Sequence, residues 1–323
     1  MRKLKLIFLS MFVIAIVSSC EEDFNPYSEF KEKFVFNCVI RGDTTFQFAT
    51  LDRIYVVDGL NPYDNHEDPS VKGAVIKIWF GDSVKIFKED SVLRSDTLRY
   101  HTPFSYYFND NFVPPQNSTL DVEVLLPNGK RLTSSIQTPR KAIISAIESD
   151  FSLPVADRDY IKMRWAIEVT EVVYVPRLYI PYFKNENGIN VRYLKQIPIS
   201  YEKVGDQYIP NNPVPSTNVA LAYDMDVIDR AMQEISEGDP NKENYTILGA
   251  IFEVLALDDF LSKYYTSTAF NVEEFSIKRV DQTDFTNING GYGIFGCHFK
   301  TRYSIKIKHD YIESFGYIPG LTE

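Results

Sequence analysis

From Phe34 the chain alternates apolar and polar residues with a period of two: Phe34, Phe36, Cys38 and Ile40 share one parity, as do Ala74, Ile76, Ile78 and Phe80, and later Leu120, Val122, Val124 and Leu126. Successive side chains of a strand point to opposite faces, so each run predicts a strand with one buried face. A further strand is expected over 53–58, followed by a loop over 59–69 rich in Asn, Asp and Pro, and Gly81-Asp82 is expected to turn the chain into 84–88. Pro127-Asn128-Gly129-Lys130 separates 120–126 from 132–136. Asn-Gly between alternating runs is the strongest short-range hairpin signal, because both residues tolerate positive φ. Residues 34–139 thus show short strands, frequent turns and no helical segment, which predicts an immunoglobulin-like β-sandwich.

After a junction around Thr138-Pro139 the pattern resumes in a second unit, 140–323, where Ile161, Met163, Trp165, Ile167 and Val169 alternate with Lys162, Arg164 and Glu168. Residues 174–183 and 190–199 flank Asn185-Glu186-Asn187-Gly188 and predict another hairpin. Its first arm carries Pro176 and Pro181, which cannot donate ladder hydrogen bonds, so that arm is expected on a sheet edge. Met225, Ile228, Met232 and Ile235 fall at helical spacing with Gly238 beyond them, predicting an amphipathic helix over 224–237. A second, shorter helix is expected over 257–265, with Asp258 and Asp259 in its first turn. The bend Asn289-Gly290-Gly291-Tyr292-Gly293 leads into closing strands over 294–308, its glycines read as permitting a bulge or a tight corner. The expected class is therefore mostly β: an N-terminal immunoglobulin-like sandwich, then a second β-rich domain with one or two short helices.

The extreme N-terminus breaks this pattern. Arg2, Lys3 and Lys5 precede an apolar run over 6–17, too short to cross a hydrocarbon core of roughly 30 Å, and this combination predicts an export signal over 1–19. Val17-Ser18-Ser19-Cys20 resembles the bacterial lipobox, in which the cysteine thiol accepts the lipid and becomes the first mature residue. Each acyl CH₂ buried in a bilayer contributes roughly 0.8 kcal/mol, so a lipidated Cys20 implies membrane anchorage without a spanning helix. Residues 20–33 read as an acidic tether, and Glu21, Glu22 and Asp23 resemble the export tag of cell-surface lipoproteins of Bacteroidota.

With the lipobox, three further motifs occur in order: Val71-x-Gly73-Ala74-x-Ile76, the 120–136 hairpin, and Asn287-Ile288-Asn289-Gly290-Gly291-Tyr292-Gly293-Ile294-Phe295-Gly296. Together they resemble the Bacteroidota outer-membrane lipoproteins carrying domain of unknown function 4249. The resemblance implies an outer-membrane lipoprotein with no known catalytic activity, often encoded near TonB-dependent receptors, so a TonB-dependent transporter is the expected partner and there are no catalytic residues to carry over. The acidic tag adds the expectation of cell-surface exposure. Two rival readings are a surface glycan-binding or adhesion module and a hydrolase built on scattered carboxylates.

Composition narrows the field further. The chain holds 34 Lys and Arg against 44 Asp and Glu; removing 1–19 takes three positives and leaves 31 against 44, a charge of −13. Phosphate backbones are bound by Lys and Arg releasing counterions, so no nucleic-acid partner is expected. Of the four histidines, His66, His101, His298 and His309, none lies in a hydrolase or metalloprotease motif, and neither a metal nor a cofactor is expected. Asp258-Asp259 and Glu273-Glu274 are adjacent pairs whose side chains would diverge on a strand, and Asp64, Asn65, Glu67 and Asp68 lack EF-hand spacing. Cys38 and Cys297 either form a disulfide or pack as separate buried thiols. Tyr100, Phe104, Tyr106, Tyr107 and Phe108 form the densest aromatic cluster and are the candidate ligand-binding surface.

Overall fold

The computed structural model describes residues 32–54, 66–145, 152–156, 158–166, 172–269 and 285–321. Its first eight strands are β1 (Lys33–Arg41), β2 (Gln47–Ile54), β3 (Val75–Phe80), β4 (Ser83–Ile86), β5 (Lys88–Val92), β6 (Phe104–Asn109), β7 (Thr119–Leu125) and β8 (Arg131–Gln137). They form two layers in the orders β5-β6-β2-β1 and β4-β3-β7-β8, the arrangement of a β-sandwich. Phe36, Cys38 and Leu51 of the first layer meet Ile76, Leu120 and Val124 of the second. The period-two alternation works because one face of each sheet is buried and the other wetted.

Local chemistry explains where strands stop. The strand expected over 53–58 begins earlier, at Gln47, and residues 55–65 lie outside the described ones. Gln47, 1% exposed, ties down the β1–β2 turn, accepting from the Arg41 N–H and donating to the carbonyls of Arg41 and Phe112. The run expected over 84–88 is split at Phe87, which is buried and donates its N–H to the Ile76 carbonyl at 3.0 Å. There the chain crosses from one layer to the other, so β4 and β5 belong to different sheets.

The second unit contains β9 (Ile143–Ser145), β10 (Ser152–Leu153), β11 (Tyr160–Ala166), β12 (Val173–Glu186), β13 (Ile189–Ile197), β14 (Ser200–Val204), β15 (Gln207–Asn211), β16 (Ala220–Asp224), α1 (Met225–Glu234), β17 (Tyr245–Ile247), β18 (Ala250–Leu257), α2 (Asp259–Ala269), β19 (Tyr292–Ile307), α3 (His309–Ser314) and β20 (Ile318–Pro319). Leu178, Phe252, Val254 and Ile305 of the large sheet pack against Met163 and Trp165 of β11 and Ile228 and Met232 of α1. The helix expected over 257–265 starts at Asp259 and runs to Ala269, because β18 continues to Leu257 and the Asp258 carboxylate accepts the N–H groups of Phe260 and Leu261. The six-residue α3 has no counterpart in the sequence pattern; it is too short to display a helical period.

The Asn187-Gly188 turn joins β12 to β13, with φ of 55° and 86° at its two residues. The expected edge position of β12 is corrected: β18 pairs with it over Val173–Tyr179, β13 over Leu178–Glu186 and β17 over Tyr182–Lys184. Each proline nevertheless falls at a gap in the ladders. Pro176 precedes the start of β13 pairing, and Pro181 lies between the end of β18 pairing and the start of β17 pairing.

One strand joins the two units. Parallel to β1, β19 runs from Val35 opposite Tyr292 to Arg41 opposite His298; antiparallel to β18, it runs from Leu257 opposite His298 to Ala250 opposite Ile305. Its odd-numbered residues serve two cores, with Phe295, Cys297 and Phe299 in the first and Ile305 and Ile307 in the second. The large sheet therefore continues across the 139/140 boundary, and the last long strand of the chain completes the N-terminal core.

The glycine-rich bend makes that join close. At Gly293, φ is +106°, and a Cβ there would lie 2.0 Å from the Phe36 carbonyl oxygen. Gly188, at φ +86°, has nothing within 4 Å of the same position. Replacing Gly188 by Ala should cost only backbone strain, about 1–3 kcal/mol. Gly293→Ala should cost clearly more, since β1 must also separate from β19; urea unfolding of the two variants checks the difference.

Candidate functional site

The face of the large sheet away from the second core carries a cleft of about 620 Å³. Its floor is alternate residues of three strands: Val175, Arg177 and Tyr179 of β12, Glu253, Leu255 and Leu257 of β18, and His298 and Lys300 of β19. One wall is Tyr265 of α2, which packs Leu261 and Phe260 onto the apolar end of the same face. The other wall is Asn212, Pro213 and Pro215, after the β14–β15 hairpin, with Gln196 beside them. Arg41, opposite His298, closes the end nearest the first unit.

A charged network holds this floor. Asp43 receives Arg41 at 3.1 Å and Lys300 at 2.6 Å. Burial on its own would raise the Asp43 pKa, but hydrogen bonds from Arg41 and Lys300 outweigh it and hold the carboxyl well below its usual range. Glu253, 6% exposed, receives Arg302 at 2.8 Å and stands 3.8 Å from Lys300. His298 is pushed down to about 4, chiefly by burial, and its Nδ1 is buried without a hydrogen-bond partner among the described residues. Asp258, beyond the apolar end, is raised by burial to about 6 although it accepts three backbone N–H groups, from Phe260, Leu261 and Cys297. It is a helix cap and does not line the cleft.

The aromatic cluster divides. Phe104, Tyr106 and Phe108 lie along the outer face of β6, with centroids 6.5 Å and 6.0 Å apart. Phe46, 43% exposed, stacks on Phe108 at 5.6 Å, and Phe48 stands opposite Phe108 on β2. Arg94 sits 5.0 Å from the Tyr100 ring and 5.3 Å from that of Phe104, bringing Tyr100 to the end of the row. Tyr107 does not belong to this surface. Odd-numbered positions of β6 point inward, so Tyr107 is 1% exposed in the first core, donating to the Val71 carbonyl and accepting the Ala74 N–H.

The remaining candidate residues resolve by placement. Cys38 and Cys297 are free and buried in one core, opposite Phe295 and Ile40 respectively. An offset of two residues, about 6.6 Å along a strand, added to the spacing between strands puts their Cα atoms beyond the reach of about 7 Å for a disulfide, so the bridge is corrected to two packed thiols. Asp68 is engaged by Arg94 and Thr102, and Glu67 by Arg53. His66 meets the Arg99 carbonyl. Among the described residues no three His, Cys, Asp or Glu side chains converge as a metal site, and no helix is long and apolar enough to cross a membrane. Cys20, Glu21, Glu22, Asp23, Asp64, Asn65, Glu273 and Glu274 lie outside the described residues.

No protein-family model matches the chain, and comparison with curated proteins finds no relative.

The half-buried ring of His298 has a measurable consequence. A folded-state pKa of about 4 against 6.5 means that between these values the unfolded chain binds more protons than the folded one. The stability this ring contributes is complete above pH 6.5 and is lost as the pH falls to about 4. Asp258 acts in the opposite sense, favouring the folded state as the pH drops below about 6. Comparing His298→Gln with wild type isolates the histidine: the difference in unfolding free energy between the two should shrink steadily from pH 6.5 to pH 4.

Proposed function

We propose that the chain is a non-catalytic, lipid-anchored binding protein of the outer membrane that presents a small ligand in the outer-face cleft to a TonB-dependent transporter. The cleft carries the binding part of this reading: it is concave, floored by strands rather than loops, and combines an apolar end with a few convergent polar groups. The ring of His298 has no hydroxyl, thiol or carboxylate partner among the described residues, which favours holding a ligand over activating a nucleophile. The leader, Cys20 and the resemblance to proteins with domain of unknown function 4249 support the anchor and the partner. Anchorage confines the protein to two dimensions and raises its effective concentration near a membrane partner.

Mass spectrometry of protein made in a native-type host should find Cys20 acylated at a new N-terminus, and gentle crosslinking of outer membranes should recover a receptor-sized protein. An unmodified Cys20 thiol would sink the anchor. Acylated protein recovered without any such partner would sink the transporter role.

The row from Phe46 through Phe104 favours a second reading, a surface glycan-binding module, because sugar rings stack on exposed aromatic faces. Replacing Tyr106 and Phe108 together by Ala should abolish binding on a glycan array while leaving the fold intact, since both face outward. Tyr107→Ala should instead unfold the first unit, at a cost of about 3–5 kcal/mol for a buried aromatic.

A further inference from the structure

Arg177 of β12, Glu253 of β18 and Arg302 of β19 stand directly opposite one another in a row across the sheet. Opposed side chains on one face have Cβ atoms about 4.5–5.5 Å apart, so Glu253 has two arginines within reach and one carboxylate to share. That carboxylate goes to Arg302 at 2.8 Å, while Lys300 goes to Asp43 at 2.6 Å, which Arg41 also holds. Arg177 is left half-buried in the cleft with no hydrogen-bond or ion-pair partner among the described residues. Within this group Arg41, Arg177, Lys300 and Arg302 face only Asp43 and Glu253. The surplus of positive charge stands in a chain whose net charge is −10.

A lone guanidinium fork matches the two oxygens of a carboxylate. A phosphate dianion would call for further free donors, and the neighbouring cations are already engaged. The remaining lining suits a polar ring, with two phenols, Tyr179 and Tyr265, and two amides, Gln196 and Asn212. We infer that the cleft binds a sugar acid, its carboxylate held by Arg177 and its ring seated between Tyr179 and Tyr265. The inference rests on the reading of the cleft as a ligand site and names the class of that ligand.

Calorimetry on the full mature protein tests it with glucuronate, galacturonate and mannuronate, their neutral parents glucose, galactose and mannose, and glucose 6-phosphate. At least one uronate should bind tenfold or more tightly than its parent. Arg177→Gln should erase that preference without moving the unfolding midpoint, Arg177→Lys should restore part of it, and Arg99→Gln, an equal charge change in the first unit, should leave it intact. Equal binding of acid and parent, an unaltered preference in Arg177→Gln, tighter binding of glucose 6-phosphate than of every uronate, or no binding by any of the seven would overturn the inference. None of these results bears on acylation of Cys20, and an unacylated Cys20 with the uronate preference intact would remove the membrane assignment alone.

Discussion

The architecture depends on the pairing of β1 with the first half of β19. It supplies Phe295, Cys297 and Phe299 to a core that the N-terminal strands do not fill by themselves, and it joins the β5-β6-β2-β1 layer to the strands of the second unit in one continuous sheet. Because β19 keeps a single inward parity along its length, its even-numbered residues all face the other way, and the cleft is built on that reverse side. The packing that holds the two units together is thus also what places His298 and Lys300 beside the strands of the second unit.

Electrostatics give this reverse face its character. Buried ion pairs gain little net stability, because desolvation offsets most of the attraction. Glu253 among Arg302 and Lys300, and Asp43 between Arg41 and Lys300, are better understood as fixing side-chain directions. Each cation so engaged is unavailable to a ligand, which is why a single residue stands out from a cluster rich in arginine and lysine.

Much of the fold is legible in the sequence wherever one face of an element is buried and the other wetted. The strands around Ile76, Val122 and Met163, the Asn187-Gly188 turn and the amphipathic α1 all meet that condition. The β14–β15 hairpin does not: Gln207–Asn211 is exposed throughout, so it offers no contrast to read. The start of β2 escapes the pattern because small Ala49, rather than a large apolar residue, holds one of its core positions. The aromatic cluster is visible by density alone, and the alternation of β6 then decides that Tyr107 turns inward. The cleft is hidden from a linear reading because its residues come from strands distant in the chain, and their polar positions look like an ordinary solvated face. A signal is present even so: Glu253 interrupts the apolar run of β18 and Arg177 that of β12, and a lone charge within a buried strand marks a place where the sheet face has another use.

The join between β1 and β19 also sets the order of events during folding. Asn37 and Ile294, which meet there, are separated by 257 positions, so the N-terminal sandwich stays unfinished until β19 has been made. Closing so long a loop is entropically costly before any contact rewards it, which makes this pairing a late and slow step. Until β19 arrives, the edge of β1 that it covers stays unpaired and open to pairing with another chain.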